Sequence, residues 1–149
     1  MSKNVSIILL TLLIVTSFNS CLDPGAQLEG EHVNFLGTWL EFEYGYYPGG
    51  GYIVEPVDPD PAFTMTFSKS LKFSTNIDGL ENYKHYRLID DTANDQLILA
   101  LFEKNPTSSD LALNKLKHSY NVTLEGDEIK LYYRFCFEGC HIGLRKIRE

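Results

Sequence analysis

Beyond residue 36, apolar and polar residues alternate mostly with a period of two, the spacing of half-buried strands, and no long helical stripe interrupts them. The first run starts at Trp39: Leu40, Phe42, Tyr44 and Tyr46 fall on one face, Trp39, Glu41 and Glu43 on the other. A tryptophan that shares a face with two glutamates requires either a bulge after it or a twist that leaves only the start of the strand facing inward. Phe63, Met65 and Phe67 alternate next, and after Ser68-Lys69-Ser70 the pattern resumes with Leu71 and Phe73, predicting a hairpin with matched faces. Runs 83–89 and 96–102 follow across the polar turn 90–95. The second is apolar on both faces, as expected of a strand covered on both sides. Ser109 or Asp110 is placed to cap a short helix or turn within 104–115. The clearest hairpin sets His118, Tyr120, Val122 and Leu124 against Ile129, Leu131 and Tyr133 around a Glu-Gly-Asp-Glu turn. Run 141–147 closes the chain.

Residues 47–61 break the pattern. Four prolines and a three-glycine run disqualify the segment as a central strand, so it reads as a long loop carrying Tyr47, Tyr52 and Val54. The count is then eight strands with no long helix, which predicts one all-β domain over 32–149: an eight-stranded antiparallel up-and-down barrel, with a two-sheet sandwich as the alternative. Eight strands close into a barrel just wide enough to be filled by side chains or to hold one small ligand.

The N-terminus changes the picture of where this domain sits. Lys3 precedes the apolar run 5–15, which is well short of the roughly 20 residues needed to span a bilayer, so 1–20 reads as a signal peptide. The small residue Ser20 before Cys21 resembles a bacterial lipobox. That resemblance implies cleavage before Cys21, lipid such as palmitate on its thiol, and anchoring in the cell envelope, with the outer membrane as the expected destination. Residues 21–31 are polar, contain Pro24 and Gly25, and read as a tether. The formal net charge of the whole chain is −7, and removal of 1–20 takes away Lys3 alone among charged residues, leaving the domain more acidic still. Such a balance argues against nucleic acid and anionic lipid as partners. Of the three cysteines, Cys136 and Cys140 remain as a pair; in an exported protein they read as a disulfide closing a tight loop.

Gly37-x-Trp39 at the head of the first strand, the signal segment, the eight-strand count and the basic last strand together resemble small lipocalin-like lipoproteins of Gram-negative bacteria. The resemblance implies that Gly37 turns the chain into the barrel and that Trp39 plugs its closed end. It implies also that an arginine near the C-terminus, Arg145 first and Arg148 second, packs over the indole and bonds to backbone there. It implies a non-enzymatic protein, monomeric, that holds a small apolar or amphipathic ligand. The chain departs from the family pattern in its shorter domain, in having no helix after the last strand, and in its Glu-Gly-Asp-Glu turn where the family's second motif would show Thr-Asp-Tyr.

Candidate chemistry adds little. No nucleophile elbow, phosphate loop, dinucleotide motif or His-Glu-x-x-His occurs, and His32, His85, His118 and His141 show no metal-ligand spacing, so neither metal nor cofactor is expected. Asp58, Asp60, Asp90, Asp91 and Asp95 read as polar turns, without the glycine and terminal glutamate of a calcium loop. Glu41 and Glu43 lie about 7 Å apart by the strand rise, a separation compatible with paired-carboxylate chemistry but also with exposed alternation. If the barrel held an acid or base beside a pocket, Glu41 and His118 would be the nominees. The aromatic cluster Tyr44, Tyr46, Tyr47 and Tyr52 around the glycine run is the one feature that asks for a functional reading. It suits a lid over a barrel mouth or, alternatively, an interaction or inhibitor surface against an envelope partner.

Overall fold

The computed structural model describes residues 34–137 and 139–147. The signal segment, Cys21, the tether, His32 and Arg148 lie outside the described residues. Nine strands form one sheet: β1 (Gly37–Tyr46), β2 (Ile53–Pro56), β3 (Thr64–Phe67), β4 (Phe73–Thr75), β5 (His85–Asp91), β6 (Gln96–Phe102), β7 (Ser119–Glu125), β8 (Glu128–Tyr133) and β9 (His141–Lys146). All neighbours are antiparallel, in the order β4-β3-β1-β9-β8-β7-β6-β5, with β2 also paired to β1. The ends of that order meet: Phe73 N donates to the Lys84 carbonyl, Tyr86 N donates to the Leu71 carbonyl, and Lys72 bridges His85. That seam makes the sheet a nearly closed eight-stranded barrel rather than a sandwich.

Nine strands fill eight positions because β2 and β3 share one edge of β1. Ile53–Pro56 pairs with the Glu43 to Tyr46 half of β1, and Thr64–Phe67 with the Gly37 to Leu40 half. Residues 57–63 leave the edge between them. Val57 N donates to the Phe42 carbonyl on departure, and Glu41 N to the Phe63 carbonyl on return. The reading of 47–61 as loop throughout therefore fails at Ile53–Pro56. Proline is excluded from central strands because it cannot donate to a ladder, and Pro56 stands at the end of a short strand bonded on one side only.

The closed end is filled with aromatic side chains. Asn34 and Phe35 form a short 3-10 turn below β1, and Gly37 takes φ of +119°, a conformation that side chains disfavour, so that the chain can rise from this turn into the barrel wall. Trp39 is fully buried and its Nε1–H donates to the Phe35 carbonyl at 2.9 Å. Phe35 packs on Phe67 with ring centroids 4.5 Å apart, and Phe67 meets the edge of Tyr86 at 5.1 Å. Burial pushes the Tyr86 hydroxyl up to about 12, and it donates to the Ser68 carbonyl. Above this layer Met65, Leu99, Ile129, Leu131 and Leu144 continue one core.

Among the described residues, the basic residue over Trp39 is Lys146, not Arg145. Lys146 Nζ lies 5.3 Å from the indole centroid and donates to the Asn34 carbonyl at 2.9 Å. Arg145, one residue earlier on a period-two strand, points to the outer face, where its guanidinium covers Phe42 at 4.5 Å and bonds Glu128 at 2.8 Å.

The double covering of 96–102 and the cysteine pair hold as expected, but the cap does not fall on Ser109 or Asp110, which lie inside the turn. β6 is covered on both sides: Leu99 and Leu101 enter the main core, while Ile98 and Ala100 pack with Leu116 beyond the 3-10 turns Ser108–Leu111 and Leu113–Lys115. The cap of the first turn is Thr107, and Asp110 reaches back to accept from its backbone N–H at 2.8 Å. Cys136 and Cys140 are paired in the turn from β8 to β9, with Cα atoms 5.9 Å apart.

Candidate functional site

Opposite the Trp39 end, the barrel mouth is shaped by one irregularity in β1. Glu41 pairs with Leu144 of β9, but Glu43 pairs with Gly143, so Phe42 is an extra residue and the strand bulges there. A bulge inverts the facing of everything after it. Trp39 and Glu41 therefore point inward while Glu43 points outward, and the two glutamates that alternation would place on one face are separated by the barrel wall. The paired-carboxylate arrangement does not exist.

On the outer face, Glu43 Oε1 accepts from Lys130 Nζ at 2.9 Å and from His141 Nε2 at 3.1 Å. His141 is 4% exposed, its Nδ1 is bonded to the Tyr52 hydroxyl, and its ring stacks on Tyr52 with Tyr132 nearby. With Nε2–H given to Glu43, Nδ1 accepts from Tyr52 and both ring nitrogens are used. Burial alone would raise the Glu43 pKa, but the bonds from Lys130 and His141 outweigh it and hold the carboxyl below its ordinary range. Gly45 and Gly143 make room for this cluster: a Cβ at Gly45 would overlap His141 and the Tyr52 hydroxyl, and one at Gly143 would overlap Glu43. The glycine-rich loop is thus latched against the outer wall through Tyr52. The four tyrosines do not form one surface. Tyr44 and Tyr46 stack at the rim with centroids 5.7 Å apart and both hydroxyls donate to Glu55, Tyr47 is exposed, and Tyr52 lies on His141.

On the inner face, Glu41 forms one wall of a 360 Å³ pocket. Tyr44 and Phe63 line its sides, Ile77 and Asp78 come from the segment after β4, and Pro56, Val57 and Asp58 come from the excursion between β2 and β3. Glu41 is 9% exposed, and burial raises its pKa. None of the lining residues is basic. A second pocket of 200 Å³ lies on the β8–β9 side, lined by His118, Tyr120, Leu131, Tyr133, Cys140, His141 and Ile142; Ile142 stands opposite Tyr44 in the ladder. His118 Nε2 is bonded to the Tyr120 hydroxyl at 2.8 Å, and its ring sits among Tyr83, Tyr120 and Tyr133. Burial lowers the His118 pKa, favouring neutral imidazole. Burial, then the neighbouring Tyr133, Tyr83 and Glu41, pushes the Tyr120 hydroxyl far up, so it stays a hydrogen-bonding group rather than an anion. A 410 Å³ cleft beside the 3-10 turns is lined by Lys104, Lys115 and Lys117 together with Glu103 and Asp110, charges of both signs.

Sequence reasoning nominated Glu41 and His118 and found Tyr44, but it read Asp58 as a plain turn and attached no chemistry to Asp78. Their convergence with Glu41 depends on the excursion at 57–63, which no periodicity announces. The outer cluster did leave a signal: a glycine inside each of two strands, at 45 and 143, marks close approach of other groups. Among the described residues no group of three or more His, Cys, Asp or Glu is arranged to hold a metal ion, and no helix is long and apolar enough to cross a membrane. Comparison of the chain with protein-family models, curated proteins and solved structures finds no match.

Proposed function

We propose that this protein is a non-enzymatic binding protein, tethered to the cell envelope through lipid on Cys21, that holds a small amphipathic molecule at the barrel mouth. The observation that carries the reading is the 360 Å³ pocket, of the size of small-molecule sites, in which an apolar wall of Phe63, Val57 and Ile77 faces a single buried carboxyl. The packed layer of Phe35, Trp39 and Phe67 confines binding to the mouth and removes the deep barrel as a ligand chamber. Binding is favoured over catalysis because His118 is tied to Tyr120 in the second pocket and, among the described residues, no histidine, serine or cysteine lines the pocket beside Glu41.

Nile red, a neutral apolar dye, tests the site. Its emission should shift to the blue in a saturable, one-to-one manner with the full chain and lose that response in Phe63→Ala. Non-saturable uptake, or full binding by the variant, contradicts the reading. The tether is tested separately: Cys21→Ser should move the protein from the membrane fraction to the soluble one.

A second reading has one observation in its favour. β2 is bonded only to β1, and its Ile53 and Val54 are exposed beside Tyr47 and Tyr52. An acidic protein with such an edge suits a basic envelope protein as partner, which it would meet by charge steering. Capture of such a partner that is lost in Val54→Lys would favour this reading over the first.

A further inference from the structure

We infer that the mouth pocket selects organic cations: an amine on an apolar or aromatic body, with the ammonium seated on Glu41 and the body between Phe63 and Tyr44. The inference rests on the mouth being the binding site and narrows what enters it.

Glu41 is the unusual member of this chain's carboxylates. As a residue it is nine-tenths buried, its carboxyl oxygens open onto the pocket rather than into the core, and it makes no hydrogen bond or ion pair with any described residue. Its nearest cations by ladder position are spent elsewhere. Lys130 is bonded to Glu43 and Arg145 to Glu128, both on the outer face beyond the bulge. Burial of most of the residue weakens the solvation of its carboxyl, and no described protein group makes up the loss. A ligand that brings a positive charge and N–H donors recovers it on binding.

The rest of the pocket points the same way. Asp58 and Asp78 add two more carboxylates at the rim, and Asp58 keeps its place by accepting from the Asp60 backbone N–H at 2.9 Å. The two aromatic rings offer negative faces to an ammonium group and apolar area to its body. A chain of net charge −7 concentrates small cations near its surface. The three carboxylates do not form a metal-ligating group, so their spacing suits one charged head beside one carboxylate with the others acting at a distance.

Three ligands of one body and different charge test this by titration calorimetry on the full chain: phenethylamine, 2-phenylethanol and phenylacetate. The amine should bind about tenfold or more tightly than the alcohol, because only the amine sets a full positive charge against the carboxylate, and phenylacetate should not bind. Glu41→Gln should remove that advantage and leave the alcohol unchanged. Asp78→Asn, at an exposed site that leaves the fold intact, should weaken the amine by roughly threefold. It keeps the test decisive if Glu41→Gln does not fold. Equal binding of amine and alcohol, with no loss in either variant, overturns the inference while leaving the mouth as the binding site. Failure of the amine to bind at all also overturns it, and Nile red binding then decides whether the broader reading falls as well.

Discussion

At the base of the barrel Phe35, Trp39, Phe67 and Tyr86 fill the interior and every polar atom they carry is bonded to backbone. At the mouth Tyr44, Phe63 and Ile77 surround open space, and the carboxyl among them has no partner among the described residues. Both ends are aromatic, so composition does not separate them. What separates them is satisfaction: the base has been closed by its own turn at Asn34 and Phe35, whereas the mouth is propped open by the excursion at 57–63 and left one charge short. The base stabilises the domain, and on the proposed reading the mouth gives up stability for a binding site.

The contrast breaks most easily through Trp39. Trp39→Ala should cost about 3–5 kcal/mol in urea denaturation, whereas Phe63→Ala, at a half-buried position on open space, should cost less than about 1.5 kcal/mol. Similar losses would mean that the mouth is simply another part of the core.

The outer wall of the mouth sharpens the comparison, since it is as closely packed as the base. Gly45→Ala should destabilise by about 1–3 kcal/mol because its methyl meets His141 and Tyr52. It should also free the 47–52 loop, read as faster amide exchange there. A neutral Gly45→Ala would show that Tyr52 is not latched.

At the base, Lys146→Ala should cost about 1 kcal/mol through loss of the Asn34 bond and the indole contact, and Arg145→Ala at most about 0.5 kcal/mol. The reverse order would return the closing role to Arg145.

The smallest effect carries the most specific sign. The folded Glu41 pKa is raised above its unfolded value of 4.5. Below that value both states are protonated and the group contributes nothing. As pH rises above 4.5 the unfolded chain ionises first, so stability falls until pH passes the folded pKa and then levels off. Glu41→Gln should abolish that fall and leave the protein more stable at neutral pH. Glu43 works in the opposite direction: its lowered folded pKa gives stability that is present above 4.5 and lost on acidification through the folded value.

Much of this architecture was legible in the sequence wherever one face of a strand meets one core. The eight alternating runs are all strands, and the double covering of 96–102 followed from its lack of a polar face. The rest escaped because local patterns do not record it. The bulge at Phe42 inverts the second half of β1, and strand parity gives the base to Lys146 instead of its neighbour. β2 was hidden by prolines that its free edge tolerates. The mouth pocket joins positions 41, 58, 63 and 78, which become neighbours only when β2 and β3 share one edge of β1.

Carbon-13 NMR of the Glu41 carboxyl, titrated with and without phenethylamine, tests the central claim most directly. An unpaired carboxyl facing the pocket should titrate above the ordinary glutamate range in the free protein and move down when the amine is bound, because the ammonium favours the ionised form. An ordinary Glu41 titration that the amine leaves unmoved would contradict the account.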